Sequence, residues 1–231
     1  MYNEAAVIAN TAKTLSDYME KTFGAGNYEI LFSNDGSSDG CDRIVRELDL
    51  PGVRVVGYEK NQGKGCAVRT ALLESRGDVA MFTDADLAYG TDVIARLAET
   101  FDKNPDSDLV IGSRNLSADG YEEYTFLRRV ASKVYIKVLC IAGGFRLSDS
   151  QCGCKGFRRE AIEKIFPRCE VNGFAFDFEA ILWANKLGMK ITEMPVSVKV
   201  HGASKVHIIR DTFRMLRDLV KMRRRIAKAK I

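Results

Sequence analysis

Two aspartates one residue apart, Asp84 and Asp86, follow the apolar run Val79-Ala-Met-Phe82. A run of that length, bounded by polar residues, reads as a buried strand, Asp78 to Thr83, with the acid pair at its carboxyl end. Carboxylates so placed suit Mg²⁺ or Mn²⁺, hard cations that take oxygen ligands and commonly keep phosphates among them. A metal held there would act as a Lewis acid and neutralise a departing diphosphate. Surface turns are also rich in Asp, so a solvated turn has the same composition; the position directly after a buried strand favours the metal.

Three other segments could carry chemistry. Asn34-Asp-Gly-Ser-Ser-Asp39 follows the apolar strand Tyr28 to Ser33. Its carboxylates could accept hydrogen bonds from a base or ribose, or an Asx-turn could simply link strand to helix. Asn61-Gln-Gly-Lys-Gly65 puts glycines and Lys64 before a helix N-terminus, an arrangement friendly to anions but without the GxxxxGK[ST] spacing. In Phe174-Ala-Phe-Asp-Phe-Glu179 two acids alternate with aromatic residues. They read as partly buried, and idle buried carboxylates are costly, although a solvated helix face would share the pattern. His201 follows a strand and reads either as a ligand or as a structural histidine.

The elements that must position these residues alternate. Helices are expected over Ala5–Met19, Asp42–Leu48, Cys66–Ser75 and Thr91–Phe101, and strands over Tyr28–Ser33, Val53–Gly57, Asp78–Thr83 and Asp108–Gly112. Such alternation predicts an α/β fold with a mostly parallel sheet flanked by helices. Ligands bind beyond the carboxyl ends of the strands in such folds, so the segments at Asn34, Asn61, Asp84 and Ser113 should converge. The second half reads as helices over Tyr121–Phe145, Glu160–Phe166, Phe176–Leu187 and Val206–Lys228, with strands over Gln151–Phe157 and Lys190–Val200. A doubly wound sheet normally opens on a strand, whereas this chain opens on Met1-Tyr-Asn-Glu4 and a helix; the first strand is expected to be missing.

With 231 residues, 46% apolar and 29% charged, the chain suits one large domain with a core of its own. It shows no transmembrane run and no signal peptide. Six scattered cysteines without a CxxC pair read as reduced thiols of a cytosolic protein rather than a zinc site. The net charge of +4 hides an asymmetry: from Lys205 to Ile231 ten Lys or Arg stand against two Asp, leaving the body at −4. Two units follow, 1–204 as the main domain and 205–231 as a basic amphipathic C-terminal helix. The basic tail carries no aromatic-interleaved platform, so nucleic acid is not the expected partner.

In order, Tyr2-Asn-Glu4, Asn34 to Gly40, Asn61-Gln-Gly-Lys-Gly65, Asp84-Ala-Asp86, Gly112-Ser-Arg114, Asp149-Ser-Gln-Cys-Gly153, Lys155-Gly-Phe157, Phe174 to Glu179 and Gly202-Ala-Ser-Lys205 resemble the motifs of family 2 glycosyltransferases of the GT-A fold. The resemblance is closest to dolichyl- and polyprenyl-phosphate β-glucosyltransferases, with dolichyl-phosphate mannose synthases as near relatives, and it runs essentially end to end. It implies that Glu4, Asp35 and Asp39 surround the nucleoside, that Lys64 and Asp84 contact the nucleotide-sugar, and that Gln151 lines the sugar pocket. Asp86 would be the main metal ligand, beside Asp84. His201, a further metal candidate, would close over the diphosphate with Ser204 and Lys205. Asp177 would sit under the anomeric centre, and Arg114 and Arg128, with Lys133, would face the acceptor phosphate. The family's first strand, ending in proline, is missing here, and Asn34 stands where many members carry Asp.

The resemblance implies transfer of a sugar with inversion, glucose from UDP-glucose first and mannose from GDP-mannose second, onto a polyprenyl or dolichyl phosphate. Such a phosphate is already ionised near neutrality, its second pKa being about 6, and needs no strong base. A saccharide hydroxyl would instead need Asp177 or Glu179 to take its proton. Arg128-Arg129 inside an apolar helix favours the phosphate. A nucleotidyltransferase would show a glycine-rich basic loop after its first strand, which is not found; a non-catalytic nucleotide-binding relative is the remaining reading. The basic, apolar helices at Tyr121–Phe145 and Val206–Lys228 could lie on an anionic membrane surface, on its cytoplasmic face, or pack against the body.

Overall fold

The structure, a computed structural model, describes residues 1–120, 126–144, 146–199 and 208–230; the side chains of 126–129, 131 and 208–216 are outside that description. The first half alternates as α1 (Ala5–Phe23), β1 (Ile30–Asp35), α2 (Cys41–Glu47), β2 (Val53–Tyr58), α3 (Lys64–Glu74), β3 (Val79–Phe82), α4 (Asp92–Lys103) and β4 (Leu109–Ser113). The second half holds α5 (Phe126–Gly143), β5 (Lys155–Arg158), α6 (Arg159–Ile165), α7 (Phe176–Lys186), β6 (Ile191–Pro195) and α8 (Ile208–Lys228).

β1 and β2 form a parallel pair with Ile30 opposite Val53. The other four strands run in the order β3-β5-β4-β6. β4 and β6 are parallel, while β5 is antiparallel to both β3 and β4. The fold is therefore α/β, but its larger sheet is mixed. The reason lies in the path of the chain. Residues 146–154 return it to the carboxyl ends of β3 and β4, where Lys155 pairs with Phe82 and Ile111. A strand that starts there has to run the opposite way. The paired strand is Lys155–Arg158 where 151–157 was expected, which leaves 151–154 as loop at that edge.

Side-chain alternation along β4 divides the core. Leu109 and Ile111 pack with Ile136 and Leu139 of α5, Phe178 and Ile181 of α7, and Ile162 and Ile165 of α6. Val110 faces the other way, against Val93, Leu97 and Phe101, a stripe at helical spacing on α4. Ile8, Ala12 and Leu15 of α1 cover Phe32 of β1 together with Cys41 and Val45 of α2. In α8, Leu219, Met222 and Ile226 are buried in the first of these clusters. In the half of the tail helix whose side chains are described, protein covers the apolar stripe.

Candidate active site

Asp35 ends β1, and its carboxylate gathers the loop that follows β2. It accepts hydrogen bonds from Tyr58 Oη at 2.7 Å, Asn61 Nδ2 at 2.9 Å, Gln62 N at 2.9 Å and Gly63 N at 3.0 Å. This near-complete set of donors turns a buried acid into a fixed anchor. The far side of the loop is fixed too. Gly65 and Cys66 donate their N–H groups to Asn172 O at 2.7 and 3.2 Å, and Arg69 of α3 grips Asn172 Oδ1 at 2.7 Å. Gly63 is required here twice over. Its φ is 107°, and a Cβ would lie 2.5 Å from Asn172 O. Held from both sides, the loop presents Lys64 to the carboxyl end of β3.

There the Lys64 ammonium meets Asp84 Oδ1 at 2.5 Å. Asp84 Oδ2 lies against Gly153, where any Cβ would come within 2.5 Å of it. Asp86 is exposed, with one oxygen accepting the Ala88 N–H at 3.1 Å. Between these acids and Tyr89 the backbone turns through Leu87 at a φ of 52°. A left-handed, non-glycine residue costs of order 1 kcal/mol and persists where its surroundings over-determine it, commonly at functional sites. Two bonds do so here: Leu87 N to Asp84 O at 3.1 Å and Gly90 N to Leu87 O at 2.7 Å. Thr11 of α1 adds a third hold, donating to Ala85 O at 2.9 Å.

Asp177, in the first turn of α7, closes the group from below. Its Oδ1 lies 2.8 Å from the ammonium of Lys155, a side chain only 1% exposed that also donates to Cys152 O at 2.5 Å. Burial pushes the Asp177 carboxyl up; Lys155 and then Lys64 oppose this without cancelling it. Burial also works against charge on Lys64, but Asp84, then Asp177 and Asp86, outweigh it and hold the ammonium above its ordinary range. Three carboxylates thus share two ammonium groups. Glu179, two residues on, is fully buried and already used. Its Oε2 accepts the Glu170 and Val171 N–H groups at 2.9 and 2.7 Å, and its Oε1 pairs with Arg225 of α8.

Several other expected site residues are engaged by their neighbours. Arg114 sets its fork on Asp149, with Nε at 2.7 Å and Nη2 at 3.1 Å; burial opposes its charge, but the carboxylate holds the guanidinium well above its usual range. It is thus engaged as one half of a buried pair at the edge of the site. Asp39 accepts the Ala5 N–H at 2.7 Å and the Cys41 N–H at 3.1 Å, joining the starts of α1 and α2. Glu4 is the residue before α1, so the acids expected around the nucleoside do gather on one rim. Gln151 sits in the loop before β5, and its Nε2 is buried without a hydrogen-bond partner. Lys133 is exposed on α5. The Arg128 side chain, His201, Ser204 and Lys205 lie outside the described residues. Lys155 carried no expected role; the signal for it was a single charge in the otherwise uncharged stretch Ser150 to Phe157, Asp-free and aromatic at its end. The six cysteines are free, and burial pushes the Cys152 thiol up to about 11.

The donor set fits Mg²⁺ or Mn²⁺. Asp84 and Asp86 supply oxygen only, and the excess of carboxylates over ammonium groups would welcome a cation before it welcomed a diphosphate. Among the described residues no three His, Cys, Asp or Glu side chains stand close enough to share an ion. A cation here would complete its shell with water or ligand oxygens, as these ions commonly do beside phosphates.

Comparison with known proteins agrees with this geometry. Residues 1–166 match the family described as Glycosyl transferase family 2. A dolichyl-phosphate beta-glucosyltransferase of Dictyostelium discoideum is 31% identical over 208 residues, covering 85% of this chain and 63% of that protein. One of Saccharomyces cerevisiae is 30% identical over 240 residues, covering 96% of this chain and 72% of that protein. The chain therefore spans roughly two thirds of the length of these relatives. Glucosyl-3-phosphoglycerate synthase from Mycobacterium tuberculosis, in complex with Mn²⁺, uridine diphosphate and phosphoglyceric acid, superposes with a TM-score of 0.69 at 17% identity, over all of this chain and 77% of that one. A strand-end acid pair, a lysine loop fastened by Asp35, a buried Lys–Asp pair beneath them and this match over most of its length place the chain in glycosyltransferase family 2, with the GT-A fold.

Proposed function

We propose that the chain transfers glucose from UDP-glucose to a polyprenyl or dolichyl phosphate with inversion, aided by Mg²⁺ or Mn²⁺ on Asp86 and Asp84. The observation that carries the choice of acceptor is the state of the two candidate bases. Glu179 is enclosed by two N–H groups and Arg225, and Asp177 is pinned to Lys155. Neither is set to take a proton from a sugar hydroxyl, whereas a phosphate monoester arrives ionised, its second pKa being about 6. The names of the relatives support the same acceptor and a glucosyl donor.

In this reading the anchored loop places Lys64 where a diphosphate would lie, so the charge that pairs with Asp84 in the free protein is available to the leaving group. Asp177, kept in place by Lys155, lies beneath the reacting carbon. The unpartnered Gln151 amide is offered to a sugar hydroxyl. When bound, the metal would supply Lewis-acid stabilisation of the departing diphosphate. An acceptor carried by lipid puts the reaction at a membrane surface, on the cytoplasmic face where nucleotide-sugars are found.

The test is transfer from radiolabelled UDP-glucose or GDP-mannose, with Mn²⁺, to a short prenyl phosphate and to a free saccharide. An organic-extractable, acid-labile glucosyl product that is lost in Asp86→Ala is expected. Transfer to the saccharide alone, or turnover undiminished in Asp86→Ala, would sink the reading.

A further inference from the structure

Among the described residues, helix α5 keeps an exposed apolar outer face. Ile136, Leu139 and Cys140 turn inward and are buried. On the other side Val130, Val134, Val138 and Ile141 are 44, 56, 42 and 68% exposed. At about 100° per residue these four fall within roughly a quarter of the helix circumference. Single exposed apolar residues are ordinary; four on one face make a patch, which usually marks a contact. Lys133 and Lys137 are exposed beside it, Lys137 about 20° outside the edge of the stripe. Arg223 of α8 donates to Ala142 O at 3.1 Å, bringing a guanidinium to the end of α5 near Ile141. Between Val130 and Gly144 there is no acidic residue.

We infer that this outer face of α5 rests on an anionic lipid surface, its valines and Ile141 in the interface and Lys133, Lys137 and Arg223 among the head groups. Charge decides between this and a second copy of the chain. A two-fold contact would bring the same lysines together with no acid on the helix to meet them, and interface cores are depleted in lysine. Anionic head groups complement the same pattern, each cation adding about fivefold to affinity. No helix among the described residues is long and apolar enough to cross a membrane. From the end of α5 the chain passes within a few residues to Asp149 and Gln151, so docking this face would bring the site to the lipid. The inference deepens the reading of a lipid-borne acceptor, but its test does not depend on transfer.

The full chain is sedimented with vesicles of phosphatidylcholine alone and with 30% phosphatidylserine, at low and high salt. Binding is expected only to the anionic vesicles and is expected to fall with salt. Val134→Glu with Ile141→Glu should lower it tenfold or more, and Lys137→Gln about fivefold. Both positions are exposed; should the glutamates disturb folding, Val134→Ser with Ile141→Ser replaces them. Equal binding to neutral vesicles, or variants that bind like the parent, would overturn the inference. So would a dimer in light scattering that the variants dissociate. Transfer to a water-soluble short prenyl phosphate should survive in the variants. Its absence in the parent chain would remove the acceptor class while leaving the vesicle result standing.

Discussion

Replacing Lys155 by Met tests whether the buried pair beneath the site is held by charge. Methionine nearly fills the lysine stem, so the main loss is the ammonium, not volume. Lys155 is 1% exposed and the Asp177 side chain 9%, with 2.8 Å between their charged atoms. Removing one partner of such a pair leaves an uncompensated charge and costs about 3–5 kcal/mol. For a chain of this size that lowers Tm by roughly 6–20 °C. The penalty should also depend on pH. Burial raises the Asp177 carboxyl in the folded state, so its contribution to stability is present below the unfolded value and fades as pH rises through the folded one. Lys155 limits that rise; without it the window extends further towards neutrality. Urea titrations at pH 4.5 and 7 should therefore find a larger penalty at pH 7, and Asp177→Asn should recover part of it in the double variant. A penalty equal at both pH values, or single losses that add within about 0.5 kcal/mol, would refute the electrostatic account.

Arg225→Met strands the buried Glu179 beside its two N–H donors and should cost about 1.5–3 kcal/mol, most of it recovered with Glu179→Gln, as read by thermal melts of the four proteins. Gly153→Ala forces a methyl group to within 2.5 Å of Asp84 Oδ2 and should weaken Mn²⁺-dependent UDP binding in calorimetry far more than it lowers Tm. Asp35→Asn removes the carboxylate charge and puts an amide N–H2, itself a donor, where Oδ2 accepts from Asn61 Nδ2 and Gly63 N. It should loosen the loop, seen as faster amide exchange at Gln62 and Gly63 and lower affinity for UDP.

Much of this architecture was legible because period and position are local signals. Val79 to Phe82 announced a strand, and any acid after it had to reach the carboxyl edge. What could not be read was which partner each charge would choose. Arg114 lies 35 residues from Asp149, and Asp35 meets donors 23 to 28 residues away; nothing in their own neighbourhood says so. The reversal of β5 escaped notice because alternation of helix and strand carries no information about a chain that returns at the same edge it left. The two basic, apolar helices make the point most directly. Their patterns are alike, yet Leu219, Met222 and Ile226 of α8 are covered by protein while Val134 and Ile141 of α5 are not. An amphipathic pattern states that a face wants cover, not what covers it.

The tie between Arg225 and Glu179 makes α8 sensitive to length and tolerant of composition. Lys221 and Arg224, exposed on its outer side, can be exchanged with little effect on the fold. One residue inserted between Leu219 and Arg225 would turn the guanidinium by about 100° and lift it from the acid two positions beyond Asp177. Homologues that keep this contact should therefore vary in the identity of their tail residues while conserving the number that separates the buried leucine from the arginine.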